Sequence, residues 1–360
     1  MASATARTPW WAWAWPLLAW VILISTAIAG AGGIMAAIAG VVLIATVFAA
    51  VYHAEVVAHR TGEPFGTLVL AVAVTVIEVA LIVSVMLGAA AEKSGLARDT
   101  VFASVMIACN GVVGLCLLTG GVRHHVQGFQ VEGASAALAV LAALTGLTLV
   151  LPNVTISTPG PVFSTPQLVF AGVVSLVLYG SFVFVQTVRH RGYFLPVKGK
   201  SRKAQAAPSD KTALLSAALL LVALIAVVGL AKTLTPTLEF AVAFLDMPKA
   251  VVGVVIAVLV LLPEGLAALR AARANQLQTS LNLALGSALA SIGLTIPAVA
   301  TVSIVLGRSL ELGLGAKDEV LLVVTLIVGV ITLGTGRTTV LQGIVHLVIF
   351  AAFLLLAFIP

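Results

Sequence analysis

Charge is scarce in this chain, and that scarcity decides its class. Asp, Glu, Lys and Arg make up 9% of the 360 residues, against about a quarter in a soluble domain, so a water-soluble globule is excluded. Cysteine is nearly absent. Cys109 and Cys116 stand seven apart in one apolar run, which excludes a disulfide framework and a thiolate metal site; both read as small core residues. Aromatic residues amount to 6%, and all five tryptophans fall between Trp10 and Trp20, as an interfacial belt at a membrane surface would place them. No phosphate-binding loop and no polar region large enough to hydrolyse ATP is present. That excludes a primary pump in a single chain.

What is there is apolar. Hydrophobic residues make up 61% of the chain, in recurring runs of about 20, the length that crosses a hydrocarbon core as helix, without the alternation of barrel strands. The expected fold is an all-α polytopic membrane protein with eleven spans. They lie near 15–31, 34–57, 66–91, 100–121, 134–152, 166–188, 212–232, 248–271, 279–306, 319–335 and 338–358. Gly30–Gly33 is either a tight turn between the first two spans or a flexible point inside one long segment. Ala27-Ile28-Ala29 has the form of a small-residue cleavage site; a retained helix is the preferred reading, since a multi-span protein inserts without cleavage.

Thirteen of the 19 Lys and Arg fall on one side of this arrangement, seven of them in the 189–211 loop, and six on the other. The positive-inside rule then places the N-terminus in the cytoplasm and the C-terminus outside. The net charge of +6 is accordingly topology and not a nucleic-acid footprint. The 189–211 segment is a solvated linker or, alternatively, a binder of anionic lipid.

Against this background two acids stand out: Glu78 in TLVLAVAVTVIEVALIVSVML and Glu264 in VVGVVIAVLVLLPEGLAAL. A carboxylate at bilayer depth is costly unless it faces a cation, a proton path or a cavity. The two halves of the chain repeat the pattern. Glu55 precedes Glu78 by 23 residues and Glu239 precedes Glu264 by 25, and each buried acid is followed by a helix of small and polar residues. Glu78 and Glu264 lie five spans apart, so their helices cross in opposite senses and the repeat is inverted, the architecture of many secondary transporters. The expected organisation is an extra N-terminal helix (1–33), a first repeat (34–188), a basic cytoplasmic linker (189–211) and a second repeat (212–360). Gly111, Gly114, Gly286 and Gly293 are expected to let helices approach closely. Pro263 removes a donor and frees the carbonyl near Leu259, either as a simple kink or as a cation ligand.

The stretches HAEVVAHRTGEPFGTLVLAVAVTVIEVAL with ACNGVVG, and LPEGLAALRAARANQLQTSLNLALGSALASIGLTIPAV, resemble the cation/proton exchangers of the calcium/cation antiporter superfamily, in particular the bacterial ChaA-type calcium/proton antiporters. The resemblance implies that Glu78 and Glu264 bind both the cation and the exchanged protons. It implies further oxygens from Asn110, Ser291 and Ser287, and entrance or gating roles for Glu55 and Glu239. Where eukaryotic members carry Gly-Asn before each acid, this chain has Val74-Thr75 and Val260-Leu261. Thr75 offers one hydroxyl and Leu261 none, so carbonyls, Asn110, Ser291 and water would complete the six to eight oxygens that calcium favours.

Charge arithmetic points the same way. Two carboxylates with one divalent cation are neutral, and so are two carboxylic acids, whereas the empty ionised site is costly to move through lipid. A monovalent cation plus one proton is also neutral. The expected function is therefore Ca2+/H+ exchange at a paired-glutamate midplane site by alternating access, with Na+ or K+ against H+ as the alternative and a cation channel as the less favoured one. No enzyme chemistry and no cofactor beyond the transported ions is expected. The partners are inorganic cations, protons and the lipid bilayer, the last being the bacterial inner membrane. His53 and His346 read as hydrogen-bonded structural groups in preference to proton relays, and Arg270, about 240° around the helix from Glu264, is not placed to neutralise it.

Overall fold

The computed structural model describes residues 8–30, 32–62, 65–88, 95–195, 208–248 and 250–359. Residues 196–207 of the basic linker, together with Lys93 and Lys249, lie outside them. Among the described residues eleven long helices follow one another. They are α1 (Trp10–Ala29), α2 (Ile34–Thr61), α3 (Phe65–Gly88), α4 (Leu96–His124), α5 (Val131–Val154), α6 (Thr165–Arg189), α7 (Asp210–Phe244), α8 (Ala250–Arg273), α9 (Leu277–Leu306), α10 (Ala316–Leu333) and α11 (Val340–Phe358). Nine of them are long and apolar enough to cross a membrane. The other two are α3, whose qualifying apolar stretch is the shorter Leu68–Ser84, and α10, which opens on Lys317, Asp318 and Glu319.

Each predicted span corresponds to one helix, with two informative differences. The Gly30 backbone sits at φ +82 and its N–H closes on the Thr26 carbonyl, so Gly30–Gly33 separates two helices. And α7 does not stop at residue 232. It runs on through Pro236 to Phe244, carrying Glu239 inside a helix.

The helices form two compact units, one of α1, α2, α3 and α7 and one of α4–α6 with α8–α11. In the first, α2 packs against α1, α3 and α7. Pro16 lies inside α1 and has no N–H to give the carbonyl four residues back. That carbonyl, of Ala12, instead receives the Nε2–H of buried His53 at 2.8 Å. Trp20 Nε1 donates to the Val222 carbonyl of α7 at 3.2 Å, and Arg60 pairs with Asp210 at the other end.

In the second unit α4 and α8 run side by side in the same direction. A Cβ built on Gly253 would lie 2.9 Å from the backbone at Asp99 and Thr100, and one on Gly265 would lie 3.2 Å from Val112 Cγ2. Further along, Cys116 packs with Ala268 and Ala272. Small residues thus line the whole seam, as membrane helices need in order to approach without a hydrophobic driving force. Both cysteines are free and buried.

Contacts across this unit are reciprocal. The third helix of the first half, α4, packs on the last helix of the second, α11, and the third helix of the second half, α9, packs on the last of the first, α6. The loops follow the same exchange. Gln127 and Gly128, after α4, pair antiparallel with Thr338 and Arg337, before α11, while Glu311, after α9, bridges to Val162, before α6. Buried hydroxyls along these helices, including Thr100, Thr145, Thr148 and Ser175, bond the carbonyl four residues back, which satisfies them without water.

Candidate cation site

Glu78 and Glu264 lie in different units. In the first unit Glu78 is 1% exposed on α3. Thr75, three residues earlier and so on the same face, is 8% exposed, and its hydroxyl has no hydrogen-bond partner among the described residues. A buried hydroxyl and a buried carboxylate thus stand one turn apart on one face of α3. Glu55 is exposed on α2, two turns before that helix ends at Thr61. The side chain of Glu239 lies outside the described residues.

In the second unit Glu264 is 8% exposed. It follows Pro263 within the uninterrupted α8 and precedes Gly265, which packs on Val112 of α4. Two helices of this unit widen where the polar residues fall. In α4 the π-helical turn is Ile107–Val112, containing Asn110 and Gly111, and in α9 it is Ser291–Thr295, containing Ser291 and Gly293. Each turn lays its glycine on an aromatic ring of the opposite half. A Cβ on Gly111 would meet Phe350 at 3.3 Å, and one on Gly293 would meet Tyr179 at 2.7 Å. Gly114 likewise packs tightly, on Leu347 and His346, but Gly286 has nothing within 4 Å. The expectation of close approach thus fails at that one position, where the wall is open.

Ser291 is buried and Ser287, one turn earlier, is half-buried. Asn110 is fully buried, with its amide engaged at both ends: Nδ2 donates to Thr325 Oγ1 at 2.8 Å and Oδ1 lies 3.0 Å from His346 Nδ1. It faces α10 and α11, whereas Val112, two residues and roughly half a turn away, faces Gly265. Ser104, one turn after the Thr100 that meets Gly253, is a further buried hydroxyl on α4, a residue the motif did not single out. Nor did the sequence single out the π-helical turns. One signal was present: Pro297 stands two residues past the turn in α9 and deprives the Gly293 carbonyl of its donor, and Pro152 stands two residues past a similar turn at Gly146–Val150 in α5. His124 donates to the Arg273 carbonyl at the end of α8. Arg270 donates to the Leu266 carbonyl of its own helix. Among the described residues no cluster of three or more His, Cys, Asp or Glu is present to hold a metal.

The model of the sodium/calcium exchanger protein family matches the chain over residues 29–188 and again over residues 215–359. The chain belongs to this exchanger family. It is 52% identical over 359 residues to y4hA of Sinorhizobium fredii, named as an ionic transporter, covering 99% of this chain and 98% of that one. It is 36% identical over 327 residues to the sodium-potassium/proton antiporter ChaA of Escherichia coli, covering 88% and 86%. Among solved structures, native YfkE superposes with a TM-score of 0.75 at 17% identity, covering 97% of this chain and 100% of that one. The H+/Ca2+ exchanger CAX gives 0.69 at 15%, covering 96% and 87%. The exchanger fold of an integral membrane protein is thereby established, and the family match falls once in each half of the chain.

Proposed function

We propose that this exchanger is a cation/proton antiporter in which Glu78 and Glu264 alternately carry a cation and protons. Burial of both carboxylates in apolar helices is the observation that supports this most directly. Two ionised acids in such surroundings cost several kcal/mol each unless a cation or protons neutralise them, so the loaded and protonated forms can change sides and the empty form cannot. Neutral oxygens from Thr75, Ser291 and Ser287 complete the coordination, with Glu55 and Glu239 as entrance or gating acids; Asn110, expected from the sequence as a further ligand, acts through the π-helical turn of α4 instead, since its amide is held by Thr325 and His346 and faces α10 and α11. The reciprocal contacts of α4 with α11 and of α9 with α6 support an inverted repeat. The orientation is N-terminus cytoplasmic and C-terminus outside, in a bacterial inner membrane.

Calcium is the first substrate on this reading, because one divalent ion neutralises both carboxylates at once. Monovalent exchange is the second reading, favoured by the name of the 36% identical Escherichia coli relative, a sodium-potassium/proton antiporter; it requires one acid to stay protonated. Proteoliposomes with an acid interior separate the two. Proton release on external Ca2+ supports the first, and release on Na+ or K+ with no calcium response replaces it by the second. Steady cation current without proton movement rejects antiport in favour of a channel.

A further inference from the structure

Asn110 stands in a directed run of hydrogen bonds, with the Met106 sulfur as a weaker side contact of its amide and of Thr325. Thr325 has one hydroxyl proton, and its acceptors are the Leu321 carbonyl at 2.7 Å and the Met106 sulfur at 3.4 Å, so toward Asn110 its oxygen accepts. The amide must therefore present Nδ2 to Thr325, at 2.8 Å, and Oδ1 to His346 Nδ1, at 3.0 Å. That in turn places the imidazole proton on Nδ1 and leaves Nε2 as the acceptor of the Thr332 hydroxyl at 3.2 Å. The run begins and ends on α10, passing through α11 and the π-helical turn of α4. Thr325, Thr332, Asn110 and His346 are all at most 4% exposed. Reversing the amide would set its oxygen against the oxygen of Thr325 and its N–H2 against the imidazole N–H, leaving two buried groups mismatched, which is costly where no water can compensate. His346 also stands against this helix at Gly114, where a built Cβ would lie 3.1 Å from the His346 Cβ.

We propose that His346 is a positioning residue for transport: its Nδ1–H fixes the amide of Asn110 and, through it, the register of the π-helical turn of α4, whose other side packs on the helix that carries Glu264. This rests on the antiporter reading for its effect on exchange, but the bonding it claims does not. Loss of the Nδ1 donor frees the amide and loosens the turn, so cation affinity falls while the carboxylates that set the charge balance remain.

The two nitrogens of His346 can be replaced separately. His346→Asn puts an N–H donor near the Nδ1 position, and His346→Gln puts one near Nε2. In proteoliposomes carrying equal amounts of monodisperse protein, His346→Gln and His346→Leu are expected to raise the apparent KM for Ca2+, or for K+ if the transporter proves monovalent, about tenfold with little change in maximum rate, the loss of one buried bond. His346→Asn is expected to recover most of that loss, and Asn110→Ala combined with His346→Leu to cost no more than one change alone. Equal effects of the Asn and Gln variants, or additive costs in the double variant, overturn the proposal. A second readout needs no transport. In 15N-histidine-labelled protein in lipid bilayers the resonance absent from His346→Gln should be that of an Nδ1–H tautomer; an Nε2–H tautomer there overturns the assignment even if the protein exchanges cations. A wild-type protein without exchange but with the Nδ1–H signature leaves the bonding intact and removes the antiporter reading instead.

Discussion

The Nε2 of His53 lies 2.8 Å from the carbonyl of Ala12, the carbonyl that Pro16 leaves without a helical donor. A break in one helix is thereby repaired by a side chain of the next. The repair fastens α1 to α2, and it accounts for a buried histidine without assigning it a proton to carry.

His53→Leu should therefore strand a buried carbonyl and lower the stability of the detergent-solubilised protein by about 1–3 kcal/mol. Adding Pro16→Ala restores an N–H to the helix and should recover most of the loss. Thermal unfolding of the wild type, both single variants and the double variant tests this; strictly additive costs would reject it.

Glu78→Gln and Glu264→Gln should each abolish cation/proton exchange in proteoliposomes while leaving expression and monodispersity unchanged. Each removes one charge from a site whose neutrality requires both. Wild-type rates in either purified variant would sink the paired-carboxylate mechanism.

Asn110→Ala and Ser291→Ala remove neutral oxygens and no charge. They should weaken apparent cation affinity more than maximum rate, by about threefold to thirtyfold for a buried polar contact. Unchanged affinity for Ca2+, Na+ and K+ in both would mean that neither the Ser291 hydroxyl nor the turn held by Asn110 serves the cation site.

Gly293→Ala and Gly286→Ala should part company. A methyl at Gly293 would come within 2.7 Å of Tyr179 Cβ, which is itself near the backbone and cannot swing away, so a loss of about 1–3 kcal/mol is expected. A methyl at Gly286 meets nothing within 4 Å, and the helix gains up to about 1 kcal/mol from the better helix former. Denaturation curves giving the two variants equal stability would contradict the packing described here.

Cysteines placed in the 189–211 loop should react with an impermeant thiol reagent only from the cytoplasm, and one appended after Pro360 only from outside. Labelling of both from the same side would be incompatible with an odd number of crossings.

The eleven helices were legible because apolar runs between charged or Gly/Pro breaks are what lipid demands of a helix, and most predicted ends fall within a few residues of the observed ones. The end of α7 was not, because Lys232 and Pro236 look like a boundary, yet a proline late in a long helix can be carried when neighbours satisfy the freed carbonyl. The burial of Glu78 and Glu264 was legible from the apolar runs around them. The direction in which Asn110 points was not, since its partners Thr325 and His346 are 215 and 236 residues away, and local spacing holds no information about them. The π-helical turns were half legible: a proline marks the one in α9, but nothing in IACNGV announces the one in α4.

The 236 residues between Asn110 and His346 are also an interval of time. At about 5–20 residues per second of synthesis, α4 waits on the order of ten to fifty seconds after it is made before the helix bearing its partner emerges. Gly111 waits about as long for Phe350. Until then a membrane helix carries an amide whose oxygen lacks its final donor and a widened turn with one side bare. In hydrocarbon that oxygen must borrow water, a headgroup or a helix of the insertion machinery, so the last helix of the chain is also the one that completes the folding of the first half.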